Sequence, residues 1–254
     1  SFFYLAFSIL ISFNSLAQNK ERKFKIHTLA FYNLENLFDT INDVNKNDEA
    51  SPIMEIKFNR GNIYKQKVTN MAKVISEIGY DVTNRPPTII GICEVENRNV
   101  VEDLIANEKL SKYNYGIVHY DSPDRRGIDV GLLYNKDIFK VINSNSHVLY
   151  INYNKTSERS YTRDQLVVSG KLDGELIHLI VNHWPSRGAD ETKRMAAAEV
   201  NNSIIDSLRK IHNNPKIITM GDFNDDPFDK SIKKILGAKK KIEDVGKNDL
   251  YNPF

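Results

Sequence analysis

The stretch "PKIITMGDFNDDP", residues 215–227, changes character halfway. Its first part, rich in β-branched residues, reads as a strand coming to its end. Its second part crowds Asp222, Asn224, Asp225 and Asp226 together ahead of Pro227. Two readings fit. Gly, Asn, Asp and Pro are turn formers, so the segment can be an Asx-rich loop and nothing more. Alternatively, Asp222 and Asn224 point the same way at the strand end while Phe223 faces the core, setting a carboxylate and an amide side by side at a sheet rim.

Working outward, the same β-rich pattern recurs at 24–34, 86–96, 115–120, 129–134, 146–152, 164–172 and 175–184. Asp173-Gly174 between the last two marks a hairpin turn. Helical spacing governs 64–79, where Val68, Met71, Val74, Ile75 and Ile78 share a face and Gly79 ends the run. A second helix is expected from about Asp190, its N-cap, to Ile211. The polar segment 39–52 reads as a long surface loop. Strands joined partly by hairpins and partly by helical crossovers predict an α/β (α+β) sandwich: two packed, mainly antiparallel sheets with helices on the outer faces.

The predicted strands end on polar side chains: Asn33 and Glu35, Glu94 and Glu96, Asn182 and His183, Asp222 and Asn224. Strand ends hold side chains rigidly, which is what a site requires. Glu94 and Asn33 offer the oxygen ligands that a hard divalent cation takes, and no His/Cys cluster is visible in the sequence to suggest zinc. Asn182 and His183 can donate to a phosphoryl oxygen, and Asp222 can orient and deprotonate water. Each residue alone has a plainer reading as a turn, an edge carboxylate or a satisfied rim histidine.

The chain has 254 residues, 41% of them hydrophobic, enough for one domain with a sizeable core. Its 35 basic and 33 acidic residues nearly balance, so any basic binding surface must be local. Residues 1–17, "SFFYLAFSILISFNSLA", carry no charge, are too short in apolar length to span a bilayer, and end in a small-x-small pattern before Gln18. They read as a signal peptide, giving a secreted or periplasmic protein of residues 18–254 with no stable membrane span. Cys93 is the only cysteine, so the protein is held by packing without an internal disulfide.

"FYNLENLFD" (31–39), "GICEVEN" (91–97), "RGIDVGLLY" (126–134), "TRDQLVV" (162–168), "VNHWPSR" (181–187) and "GDFND" (221–225) occur in an order that resembles the endonuclease/exonuclease/phosphatase superfamily, which includes deoxyribonuclease I. The resemblance implies a four-layer sandwich, Asn33 and Glu94 as ligands of Mg²⁺ (or of Mn²⁺ or Ca²⁺), and Asp222 with Asn224 flanking the attacking water and the scissile phosphate. It implies His183 as a phosphate-contacting histidine and Arg163 as a basic residue near the substrate backbone; Arg126 and Asp129 lie in a cleft-lining motif without an assigned role. In place of the family's final strand with a second histidine, the chain ends at "DLYNPF". C-terminal strands are therefore expected to be missing, leaving a sheet edge and apolar surface uncovered, while His212, placed within a helix, is read as solvated.

The resulting expectation is a monomeric, secreted, metal-dependent phosphodiesterase, foremost a nuclease acting on DNA or RNA. The alternatives are a phosphatase or phospholipid phosphodiesterase of the same superfamily, or a non-catalytic binding domain. Local basic groups are Lys65 and Lys67, Arg125 and Arg126, Arg159 and Arg163, and Arg187 with Lys193 and Arg194.

Overall fold

The computed structural model describes residues 24–152 and 158–254; the expected leader, residues 1–17, lies outside them. β1 (Leu29–Leu37), β2 (Ile89–Val95), β3 (Tyr115–His119) and β4 (Asp129–Asn135) form a first sheet in the order β1-β2-β4-β3. After β5 (Phe139–His147) come the two-residue strands β6 (Ile151–Asn152) and β7 (Arg159–Ser160), which pair with each other. β8 (Gln165–Leu172), β9 (Glu175–His183) and β10 (Lys216–Asp222) complete a second sheet in the order β10-β9-β8-β5. Both sheets have one parallel pair, β1 with β2 and β10 with β9, and are otherwise antiparallel.

Alternation along the strands builds the layers. In β2, Ile89 and Cys93 enter the core between the sheets with Val130, Leu132, Leu166, Leu179 and Val181, while Ile90 and Ile92 face outward. The single-turn helices α1 (Pro52–Glu55) and α3 (Tyr80–Thr83) flank α2 (Arg60–Glu77). α2 buries Val68, Ala72 and Ile75 on that outward face beside α4 (Arg98–Ala106), which adds Val100, Val101 and Leu104. On the other side α5 (Glu191–Ile211) covers the second sheet with Ala197, Ala198, Ile204 and Ile205. Asp190 caps α5 as expected, accepting from the Thr192 N–H at 2.9 Å. The result is the four-layer arrangement of two packed sheets between helices.

Some local readings differ. The strand expected at 146–152 straddles the end of β5 and the start of β6; β5 begins at Phe139, in a segment whose polar Asn143, Ser144, Asn145 and Ser146 hid it. α4 went unforeseen because its Asn97 cap, which accepts from the Val100 N–H at 3.1 Å, follows β2 without a loop. The 39–52 loop is not wholly superficial, since Asp48 is buried and accepts from the Asp43 N–H at 2.9 Å. His212 lies just past α5 and packs its ring on His178 at 4.7 Å.

β1 and β10 are edge strands on the same side of the sandwich. Along them runs a groove of about 800 Å³ lined by Phe31, Ile218, Met220, Leu250, Tyr251 and Phe254, among others. Ile218, Tyr251 and Phe254 expose much of their apolar surface there. Among the described residues, no helix is long and apolar enough to cross a membrane.

Candidate active site

The ends of β1, β2, β9 and β10 converge, and irregular backbone aims their side chains. Between Asn33 and Leu37 the β1–β2 register shifts, with Glu35 and Asn36 in the left-handed region at φ 50° and 57°. Lys67, on α2, holds this bulge by donating to the carbonyls of Glu35 and Asn36. The Asn36 N–H in turn donates to Glu94 Oε2 at 3.0 Å. Glu94 itself sits at a bulge against β4, at φ 59°. Non-glycine residues in this region carry strain of about 1–3 kcal/mol, a common mark of functional positions.

The Asn33 amide bridges the two carboxylates, with Nδ2 3.1 Å from both Glu94 Oε1 and Asp222 Oδ2. His183, paired in register with Asp222 across β9 and β10, brings Nε2 to 3.7 Å from Glu94 Oε1. Gly221 makes this approach possible, because a Cβ there would stand 2.3 Å from the Asn182 carbonyl oxygen. His183 is buried and its Nδ1 has no hydrogen-bond partner among the described residues. Burial, reinforced by the Arg163 and Arg126 cations and opposed by Asp124, lowers its pKa to about 2. The imidazole is therefore neutral at physiological pH and acts as a hydrogen-bond donor or acceptor, not as a cation.

The "GDFND" segment forms the expected turn, and Asp222 keeps one oxygen toward the strand ends. Asp222 Oδ1 accepts from the Asn224 N–H at 3.0 Å, an Asx turn, while Oδ2 faces Asn33. Asn224, at φ 52°, donates its amide to the Trp184 carbonyl at 3.0 Å. Phe223 packs edge-on against Trp184 on the helix side, with ring centroids 4.7 Å apart.

Arg163 meets Asn224 at the same carbonyl, donating to Trp184 O at 2.6 Å and to Asp124 Oδ2 at 3.2 Å. It is 5% exposed, so the structure places it behind His183 instead of along an open surface. Arg126 forks onto Asp124 at 3.1 and 3.2 Å from the exposed side. Burial pushes the Asp124 carboxyl up, but the hydrogen bonds and charge of Arg126, with the charge of Arg163, hold it below the ordinary range. Asp129 is buried, accepting from the Ser122 N–H at 2.7 Å and lying 3.0 Å from His119 Nε2; it anchors the loop that carries Asp124 and Arg126.

Several sequence expectations resolve differently. Asn182 points away from His183, as strand alternation requires, into a buried network with Thr219, Asn201 and Trp184 Nε1. Asp225 lies in the loop but is not solvated: it forms a buried ion pair with Arg194 at 2.6 Å and accepts from Ser231 Oγ at 2.6 Å. Arg187 is tied to Asp226 and Asp229 at 2.7 and 3.3 Å. Arg187 and Arg194 are thus neutralised locally, and Lys67 is half-buried under the bulge.

The sequence did not reveal Cys93, whose sulfur groups with His183 and Asp222 within 4.8 Å. The residues lie far apart in the chain, and only the alternation of "GICEVE" hints that Cys93 faces between the sheets. Burial first, and then the charges of Glu94 and Asp222, push its thiol well up, so it is protonated and a poor ligand. Glu94 and Asp222, both reached by the Asn33 amide, fit a hard divalent cation.

The model of a family described as Endonuclease/Exonuclease/phosphatase family matches residues 28–254. No curated protein sequence matches the chain. Solved structures with a similar fold include ANGEL2, described as a 2′,3′-cyclic phosphatase, at 14% identity and TM-score 0.55, covering 83% of this chain and 56% of that one. A Bacteroides thetaiotaomicron mannosyl-6-phosphatase, Bt3783, aligns at 17% identity and TM-score 0.54, covering 82% of this chain and 69% of that one. A humanized D. rerio TDP2 aligns at 13% identity and TM-score 0.50, covering 81% and 64%. The chain also spans only 63% of the human Nocturnin catalytic domain. At these identities the structures speak for the fold alone. The family match extends from the first strand to the last residue, through every strand end that builds the site, and the chain belongs to the endonuclease/exonuclease/phosphatase family.

Proposed function

We propose that the protein is a metal-dependent phosphodiesterase whose substrate is nucleic acid, with Mg²⁺ as the ion. The observation that carries this reading is the Asn33 amide held at 3.1 Å between Glu94 and Asp222, drawn from three strand ends in two sheets. Glu94 and Asn33 would hold the ion, the latter once its amide turns so that Oδ1, which accepts from the Glu35 N–H at 2.8 Å, faces the carboxylates in place of Nδ2. A bound divalent cation supplies charge neutralisation on the phosphoryl oxygens.

The chain's own groups divide the remaining work. Asp222 accepts a proton from the attacking water as the water oxygen bonds to phosphorus and the ester P–O bond breaks, the leaving oxygen taking its proton from solvent. Asn224 orients that water and the phosphate. The neutral imidazole of His183 donates to a phosphoryl oxygen, where the buried setting strengthens the hydrogen bond. Arg163 is a positioning residue, fixing the Trp184 carbonyl on which Asn224 rests.

Localisation belongs to the same reading: removal of residues 1–17 would release a secreted or periplasmic monomer beginning at Gln18. The deciding assay is cleavage of plasmid DNA with Mg²⁺, with Mn²⁺ or Ca²⁺ in its place, and with EDTA, alongside p-nitrophenyl phosphate. Metal-dependent nicking with little monoester hydrolysis is expected. Monoester hydrolysis alone would make the protein a phosphatase, and inactivity on both would defeat the reading.

A further inference from the structure

Beside the site stands a ladder of alternating arginines and tyrosines. The Arg125 guanidinium lies 5.1 Å from the Tyr161 ring centroid. Arg159 lies 5.0 Å from Tyr161 and 5.2 Å from Tyr150. Tyr150 and Tyr161 are 59% and 44% exposed, far more than packing of an amphipathic ring requires. The Lys193 ammonium reaches the same surface, 3.2 Å from Ser160 Oγ.

The ladder begins at the cleft. Arg125 adjoins Arg126, which grips Asp124; Tyr161 lies two residues before Arg163, which grips the same Asp124 from behind. The charge of Arg126 reaches His183. Stacking on tyrosine fixes a guanidinium plane without spending its charge, and the stacked guanidinium and ring planes together present flat π-surfaces on which bases can lie. A lipid headgroup or sugar phosphate has use for the cations but not for the rings. A duplex keeps its base faces stacked inside. An unpaired strand presents both a phosphate track and open bases.

We infer that Arg125, Tyr161, Arg159 and Tyr150 form a stacking platform for a single-stranded segment of nucleic acid adjoining the scissile phosphate. The inference rests on the proposed nuclease activity for its context, but its test does not. Binding of a fluorescein-labelled 12-nucleotide single-stranded DNA is measured by anisotropy in EDTA, without turnover, for the wild-type protein and for Tyr161→Ala, Arg159→Ala and Arg159→Lys, with circular dichroism as the folding control. Each alanine variant should weaken binding about tenfold, the scale of one lost base-stacking contact. Arg159→Lys, which keeps the charge but not the plane, should fall between the wild type and Arg159→Ala. The wild type should bind the single strand more tightly than the same sequence as a duplex. Under turnover, the ratio of kcat/KM for the oligonucleotide to that for bis(p-nitrophenyl) phosphate should fall in the alanine variants. Unchanged binding in both alanine variants, or equal binding of duplex and single strand, would overturn the platform. A protein that binds the strand as described but cleaves no phosphodiester would overturn the proposed activity and leave the platform standing.

Discussion

Asp222 and Asp225 are three residues apart, yet they stand in regions built on opposite terms. Asp225 is closed off: Arg194 supplies a full counter-charge at 2.6 Å, Ser231 adds a hydroxyl, and both partners of the ion pair are buried. Among the described residues Asp222 has amide partners, the Asn224 N–H and Asn33 Nδ2, and no cationic side chain bonds to it. The first region has completed its electrostatics within the protein. The second has carboxylates in excess of the cations that touch them, which is the condition for binding a metal ion or accepting a proton. Residue type does not separate the two aspartates; the complement of partners does.

The comparison can be broken by experiment. Asp222→Asn should lower kcat on DNA by about 10²–10⁴-fold while the melting temperature stays near that of the wild type, because it removes the proton acceptor but keeps the turn. Equal activity in that variant would move Asp222 into the structural class with Asp225. Asp225→Asn should do the reverse in kind, costing about 3–5 kcal/mol in denaturant unfolding because Arg194 is left buried without its charge partner. A loss under about 1 kcal/mol would show that the pair is solvated in solution.

Glu96 sharpens the contrast through pH. Burial first, and then the charges of Asp39, Asp48 and Asp43, against the pull of the Asp39 N–H, raise its pKa from 4.5 to about 7. Its protonated form is favoured in the folded protein, so this contribution to stability is complete below about pH 4.5 and disappears as pH rises through about 7. Glu96→Gln, which cannot ionise, should gain about 2–3 kcal/mol relative to the wild type between pH 4 and pH 8. Parallel unfolding curves across that range would contradict the shift. The smallest effect is expected for Asp226→Asn, whose partner Arg187 is 56% exposed: no resolvable change in denaturant midpoint, with kcat unchanged.

The layers were legible because alternation and helical spacing are properties of the chain itself. "TIIGICEVE" shows which residues face which side, and the structure follows it, with Ile90 and Ile92 under the helices and Cys93 between the sheets. Asn33, Glu94, His183 and Asp222 were visible for the same reason, as polar residues ending strands. What stayed hidden depends on distance or on backbone. Nothing in the sequence pairs Arg194 with Asp225, buries Arg163 between Asp124 and the Trp184 carbonyl, or sets Glu94 at a positive φ. Asn182 was misread because two adjacent polar residues in a strand were both turned toward the site, whereas alternation permits only one.

The contact from Asn33 to Asp222 joins residues 189 positions apart. Closing a loop of that length is entropically costly and slow compared with forming the hairpin of β8 and β9. On a chain emerging from its N-terminus, Asn33 and Glu94 are present long before their partner has been synthesised. Partly made or partly folded chains therefore lack the centre altogether, and recovery of activity during refolding should trail recovery of strand content, making the site a reporter of the last step of assembly.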